Sequence, residues 1–297
     1  MDKKPIISVV IPCFNVEKYL KKALRSVLKQ KFSYDTSKYT GLEIICVDDC
    51  STDKTLKVIS KFASRYSNIR IVSLPKNSGP SVCRNAGICE ANGEFIAFVD
   101  SDDWIEKGTF QKALNAMEDD VDLVYWNVRV VKSRGIFYYK QVKEWFDKVF
   151  YLGKRPLNDF MFLNFTPECW SKFFRLSLIK DKNVSFPEGF IHEDFAFLWK
   201  YLVWCRNVVC LDEKLYNYYQ RKYSIVYKMK TKEVVNFDKF YVCDDIFNYL
   251  KKYQLFDRYK DIFKLFFEKM LDSMLWDIDD RKKVFELRDE FLSKWKI

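Results

Sequence analysis

Phe95-Ile96-Ala97-Phe98-Val99-Asp100-Ser101-Asp102-Asp103 is the stretch that decides the fold class of this 297-residue chain. Five apolar residues in a row, with no polar alternation, suit a strand covered on both faces, as in a parallel sheet. The run then ends directly in three carboxylates and a serine. Upstream, Ile6-Ile7-Ser8-Val9-Val10-Ile11, Leu42-Glu43-Ile44-Ile45-Cys46-Val47 and Ile69-Arg70-Ile71-Val72-Ser73-Leu74 read as three further strands, the first of them expected to end at Pro12. Helical spacing fills the intervals. Leu20, Ala23, Leu24, Val27 and Leu28 mark one helix, and Leu56, Ile59, Phe62 and Ala63 mark a second, with Ser51 or Thr52 as its cap. A third runs from the turn Asn77-Ser78-Gly79-Pro80 to about Glu90, closed by Asn92-Gly93. Strands alternating with helices imply βαβ units and an α/β fold with a mostly parallel sheet. Ligands of such sheets gather at the carboxyl ends of the strands. Polar or acidic turns follow strands one, two and four here.

Beyond Trp104 the pattern loosens. Val121–Val131 reads as a strand and Gly135–Val142 as an irregular or paired strand. Asn158–Phe165, Trp170–Lys180 and Glu193–Cys205 read as helices, and the chain is helical from Val234 onward. Soft boundaries near Tyr125 and Lys230 divide the chain into 1–125, 126–229 and a helical C-terminal region over 230–297. The aromatic, near-neutral faces of that last region are expected to pack on the preceding part of the chain or on a second copy; the alternative is a peripheral contact with anionic lipid.

Composition narrows the function classes. Nine cysteines form no C-x-x-C pair and there is one histidine, which argues against a zinc site and for thiols in a reducing compartment. The start of the chain lacks the long apolar stretch of a signal peptide, and no run reaches 18 apolar residues. The expected location is cytoplasmic, or peripheral on the inner face of the membrane. The net charge of +10 attracts anions, but it forms no dense basic run and no nucleic-acid module, so nucleic acid is not the expected partner.

Asp100 and Asp102 stand at i and i+2 after a buried strand, and like charges so placed call for a cation. Mg²⁺ or Mn²⁺ completed by a diphosphate answers that need and would neutralise a departing nucleoside diphosphate. Asp48, at another strand end, can accept the N3–H of uracil or thymine but not of cytosine, which has none; the plain alternative is a helix cap. Phe14 can stack on a base, Asn15 can hold its turn, and Arg84 can reach a phosphate or brace the aspartates. Asp194 follows an apolar stretch, where partial burial would raise its pKa toward that of a working base. His192 is the competing base, and Glu193 can instead complement the start of a helix.

I-S-V-V-I-P-C-F-N-V-E-K-Y-L, I-C-V-D-D-C-S-T-D, N-S-G-P-S-V-C-R-N-A-G and F-V-D-S-D-D-W together resemble the inverting glycosyltransferases of family 2, with the Rossmann-like GT-A fold. The resemblance covers about the first 110 residues and continues more loosely through Trp170–Phe174, Ile191–Phe195 and Tyr218–Ile225. It implies transfer from a UDP-sugar or dTDP-sugar to a hydroxyl of a saccharide or lipid-linked acceptor, in surface polysaccharide or glycoconjugate synthesis. Carried over by position, Asp48 looks like the base reader, with Asp49 nearby. Pro12, Phe14, Asn15 and Glu17 supply the first donor-site turn, and Lys76 and Gly79 a loop over the donor. Asp102 is the principal metal ligand, while Asp100 contacts ribose or metal, with Ser101 between them. Arg84 matches the arginine of the family's R-N-x-G helix, and Arg221 faces the diphosphate from the far side. Glu193-Asp194 matches the E-D pair whose aspartate serves as general base. Two other readings are a sugar nucleotidyltransferase, which would need a glycine-rich loop absent after strand one, and a nucleotide-sugar-binding protein without turnover.

Overall fold

The computed structural model describes residues 3–133, 136, 139–146, 152–222, 224–230, 237–277 and 280–296. The first hundred residues form β1 (Ile7–Cys13), α1 (Leu20–Leu28), β2 (Leu42–Asp48), α2 (Thr55–Ala63), β3 (Ile69–Ser73), α3 (Pro80–Glu90) and β4 (Phe95–Phe98). The four strands are parallel in the order β3-β2-β1-β4. Their register puts Cys13 beside Asp48 and Asp48 beside Ser73, so the acidic turns share one edge.

β1 does not stop at Pro12. Val10 faces β4, accepting the Val99 N–H, and Cys13 faces β2, accepting the Asp49 N–H. Pro12 therefore presents its missing donor toward β4, whose pairing with β1 has already ended at Val10–Phe98.

The sheet continues through the second half. β5 (Trp104–Ile105), α4 (Thr109–Ala116), β6 (Val121–Lys132), α5 (Tyr139–Phe146), β7 (Gly153–Pro156) and α6 (Asp159–Asn164) come first. After them follow β8 (Lys172–Arg175), α7 (Leu176–Asp181), α8 (Glu193–Leu202), β9 (Asn207–Gln220) and α9 (Ile225–Lys230). Strand order from β4 onward is β8-β6-β9-β5, with β7 also on β9, giving nine strands among the described residues. β8 is antiparallel to β4 and β6, whereas β6 and β9 run parallel. The division near Tyr125 thus falls inside β6.

Two element assignments change. Trp170–Lys180 is not one helix: a 3₁₀ turn over Cys169–Ser171 leads into β8 and then α7. Phe173 and Phe174 are both fully buried between β4 and β6, so this strand has two covered faces and shows no alternation. Lys172 is fully buried too, and its ammonium donates to the carbonyls of Thr166 (2.7 Å) and Glu168 (2.6 Å). Of the expected strand Gly135–Val142, residues 139–142 are helical in α5, and 135, 137 and 138 lie outside the described residues.

α10 (Asp238–Lys252), α11 (Phe256–Asp277) and α12 (Arg281–Trp295) form the C-terminal region; the expected start of that helical text, Val234–Asn236, lies outside the described residues. Their apolar faces turn inward: Trp199 of α8 meets Phe263 and Phe266, and Phe162 of α6 meets Tyr259. Among the described residues, no helix is long and apolar enough to cross a membrane.

Gly87 marks the closest approach of α3 to the sheet. A Cβ there would lie 2.3 Å and 2.7 Å from the two γ-carbons of Val10. Gly87→Ala gains about 1 kcal/mol in helix propensity, but overpacking costs up to about 3 kcal/mol. The expected net loss is about 2 kcal/mol, measurable as a lowered urea midpoint. An unchanged midpoint would mean that α3 can lift from β1.

Candidate active site

The turns after β1 and β2 are sewn to each other. Asn15 adopts a left-handed backbone (φ 49°), and its Oδ1 accepts from the Thr52 N–H (2.9 Å) and the Asp53 N–H (3.3 Å). The Asn15 N–H donates to Ser51 Oγ (3.2 Å), the Val16 N–H to Thr55 Oγ1 (2.8 Å), and the Glu17 N–H to Asp53 Oδ2 (3.1 Å). Glu17 Oε2 in turn accepts from the Lys54 N–H (2.9 Å). Asn15 and Glu17 are therefore frame residues of the site. Ser51 and Thr52, engaged with Asn15, do not cap α2; Asp53 Oδ1 takes the Thr55 N–H instead (2.8 Å).

The adjacent aspartates Asp48 and Asp49 have different work. Asp49 is buried, with both oxygens occupied by the turn that leads into α3: the Ser78 N–H (2.7 Å), the Gly79 N–H (2.8 Å) and the Asn77 amide (3.0 Å). Gly79 is left-handed (φ 88°), and Lys76 is exposed in the same turn. Asp48 is equally buried, and its Oδ2 accepts from the Ser51 N–H (3.2 Å). Its Oδ1 is buried with no partner among the described residues. An orphaned acceptor costs about 1–3 kcal/mol, which a ligand N–H would offset. Phe14, 43% exposed, stands at the end of the same edge, one residue beyond β1.

Arg84 gathers the remaining acids. Its side chain is only 5% exposed, and it donates to Asp100 Oδ1 (3.1 Å), Glu193 Oε1 (2.6 Å) and Asp194 Oδ1 (3.5 Å). Residues 84, 100 and 193–194 thus meet at one guanidinium. Asp102 Oδ2 accepts from Arg221 Nε at 2.6 Å, so Arg221, expected to face a diphosphate, is ion-paired to the DxD turn. The Tyr216 hydroxyl accepts the Asp100 N–H (3.1 Å) and donates to Asp103 Oδ2 (2.8 Å), while Asp103 Oδ1 takes the Tyr219 N–H (2.6 Å). Tyr216, Tyr219 and Asp103 fix the turn, and no sequence signal marks the two tyrosines for that task. Ser101 is buried between the two carboxylates.

These residues fit a hard divalent cation. Asp100 and Asp102 each keep one oxygen that no side chain among the described residues engages. No cluster of three or more His, Cys, Asp or Glu suited to a metal occurs among the described residues; an ion held here would have two carboxylates from the protein and need a diphosphate and water to complete its shell.

Residues 8–180 match the sequence profile of Glycosyl transferase family 2. The chain belongs to that family. Among curated relatives, the poly(ribitol-phosphate) β-N-acetylglucosaminyltransferase TarS of Staphylococcus aureus is 34% identical over 214 residues, 71% of this chain and 35% of TarS. The putative glycosyltransferase EpsH of Bacillus subtilis is 30% identical over 77% of this chain and 64% of its own length. The crystal structure of S. aureus TarS residues 1–349 with UDP superposes with a TM-score of 0.63 at 27% identity, covering 82% of this chain and 65% of that one. The present chain thus spans only about a third of full-length TarS.

In this family 2 chain burial shifts three titratable groups of the site, Asp194, Asp102 and His192. Burial pushes Asp194 up from 3.8 to about 7; Arg84 opposes the shift, while Glu193, Asp100 and Glu168 add to it. Its side chain still keeps 17% exposure. Burial also raises Asp102, opposed by Arg221 and aided by Asp100. His192, pushed down to about 3 by burial and then by Lys239, is held neutral and is a weak base.

Proposed function

We propose that this protein transfers a sugar, with inversion, from a UDP-sugar to a hydroxyl of a saccharide or lipid-linked acceptor in surface polysaccharide or glycoconjugate synthesis. The observation that carries the reading is the single buried guanidinium of Arg84, which links Asp100 of the DxD turn to Asp194. A donor diphosphate at the first and an acceptor hydroxyl at the second would be held side by side, as one in-line displacement needs. Asp194, with a pKa near neutrality and part of its surface open, takes the acceptor proton as the hydroxyl attacks. Asp48 Oδ1 receives N3–H of uracil, and thymine would offer the same donor. Phe14 stacks on the ring. A Mg²⁺ or Mn²⁺ ion on Asp102 and Asp100 supplies, when bound, charge neutralisation for the leaving diphosphate. Arg221 braces Asp102 and lies near enough to add a second positive charge there. All nine cysteines are free, which suits a reducing, cytoplasmic setting.

Calorimetry with UDP, dTDP, GDP and CDP tests the donor site. UDP or dTDP should bind only with Mn²⁺ or Mg²⁺, and Asp102→Ala should weaken that binding by at least about tenfold, or about 1.4 kcal/mol. Equal binding of all four nucleotides, or metal-independent binding, would remove Asp48 and Asp102 from these roles.

A further inference from the structure

We infer that the C-terminal helices belong to the catalytic apparatus: α10 fixes the strap that aims Asp194, with Asp238 as the positioning residue. The inference rests on Asp194 being the base. The strap is the segment Pro187–His192, which leads into α8, and it is tied at both ends. At its start, Asn85, next to Arg84 on α3, accepts the Phe186 N–H (2.9 Å) and donates to the Phe186 carbonyl (2.9 Å) and Glu188 Oε1 (3.1 Å). At its far end, the Ile191 N–H donates to Asp238 Oδ2 at 2.7 Å. Beside that bond the Phe190 ring stacks on Tyr241, with centroids 5.3 Å apart and planes 7° from parallel. Asp238 and Tyr241 stand three residues apart at the start of α10, so one face of one helical turn makes both contacts.

The strap needs such a hold. Gly189 (φ 83°) and His192 (φ 72°) are both left-handed, a region that glycine adopts freely and histidine does not. His192 immediately precedes Glu193-Asp194, the first two residues of α8, so the rotation at His192 decides where both carboxylates point. The Ile191–Asp238 bond lies one residue before that rotation. Asp194 already reaches Arg84 only at 3.5 Å, and a further misplacement of about 1 Å can cost about 10²-fold in rate.

α10 is itself well anchored. Lys200 of α8 pairs with Asp245 (2.5 Å), Trp204 Nε1 donates to the Tyr249 hydroxyl (2.9 Å), and that hydroxyl donates to the Lys182 carbonyl (2.7 Å). From α12, Lys294 (2.6 Å) and Trp295 (2.8 Å) both donate to Asp244. A chain of contacts therefore runs from the C-terminal helix to the base, entirely beyond residue 180, where the family profile stops.

The test compares Asp238→Ala with Asp238→Asn, whose amide oxygen can accept the same bond. The probe is UDP-N-acetylglucosamine with water as acceptor, read as UDP release, alongside UDP calorimetry and amide hydrogen exchange. Asp238→Ala should lower kcat by about tenfold or more with KM and UDP affinity within about twofold, and Asp238→Asn should stay within about threefold of wild type. Exchange across Phe190–Asp194 should quicken in the alanine variant alone. Asp194→Asn separates the two ideas: if it turns over like wild type, the base assignment fails whatever Asp238→Ala does. If Asp194→Asn is inactive while Asp238→Ala keeps its kcat, or the alanine and asparagine variants fall alike, the positioning role is overturned. Should the probe release no UDP, unchanged protection of Phe190–Asp194 in Asp238→Ala overturns it. Tyr241→Leu, which removes the stack and keeps the helix, replaces Asp238→Ala if that variant does not fold.

Discussion

Asp194→Asn is expected to lower sugar transfer by about 10²–10⁴-fold, the usual worth of a positioned general base, while UDP affinity stays within about threefold. Asparagine keeps the shape and the contact with Arg84 but cannot take a proton. The groups proposed to hold the nucleotide, Asp48 at the end of β2 and the turn Asp100–Asp102 after β4, stand on other elements than Asp194, which lies at the start of α8. Loss of kcat with retained UDP binding is therefore the signature sought.

The pH profile supplies the sign. The Asp194 pKa rises from 3.8 to about 7, chiefly by burial, so the proton stays on through the range where an ordinary aspartate has lost it. Only the deprotonated carboxylate can act as base, so turnover should climb with pH through about 7 and level off above it. Below the inflection the rate should fall about tenfold per pH unit. His192, at about 3, would give no inflection in that window. A profile flat from about pH 5 to 9, together with an active Asp194→Asn, would take Asp194 out of the mechanism.

The parallel half of the fold was legible because β1, β2 and β4 are covered on both faces and the polar turns share one edge. Individual roles within those turns were less so. Asp48 and Asp49 are neighbours of identical chemistry; what separates them is the Asn77–Gly79 turn, whose groups fill both oxygens of Asp49 and leave Asp48 Oδ1 without a partner among the described residues. That contact spans about thirty residues and has no periodic trace. β8 escaped because two adjacent phenylalanines covered on both faces look alike in strand or helix. β9 escaped because its register against β6 slips between Trp126–Leu211 and Asn127–Lys214, which breaks the alternation. The ion pair of Arg221 with Asp102 was not legible, since the two stand far apart in sequence.

Arg84→Met should destabilise the protein by about 3–5 kcal/mol, the cost of stripping the partner from buried charges. The methionine keeps much of the volume, so the loss reports charge rather than a cavity. Arg84 faces Asp100, Glu193 and Asp194 at once, and its own Nε is buried without a partner among the described residues, so the arginine is held by its acids rather than by surplus bonds. Without the guanidinium, these acids repel one another in a poorly solvated site and hold protons more tightly in the folded state than before. Proton uptake by the folded variant then stabilises it as pH falls, so the deficit relative to wild type should be larger at about pH 8 than at about pH 5.5. Arg84→Lys retains the charge but not the fork that spans the acids, so it should recover only part of the loss. Urea denaturation at the two pH values measures the difference. A deficit under about 1 kcal/mol, or one independent of pH, would show that the acids do not depend on Arg84 for their charge. The bridge between the DxD turn and Asp194 would then be a packing contact, and the juxtaposition of donor and acceptor would need another source.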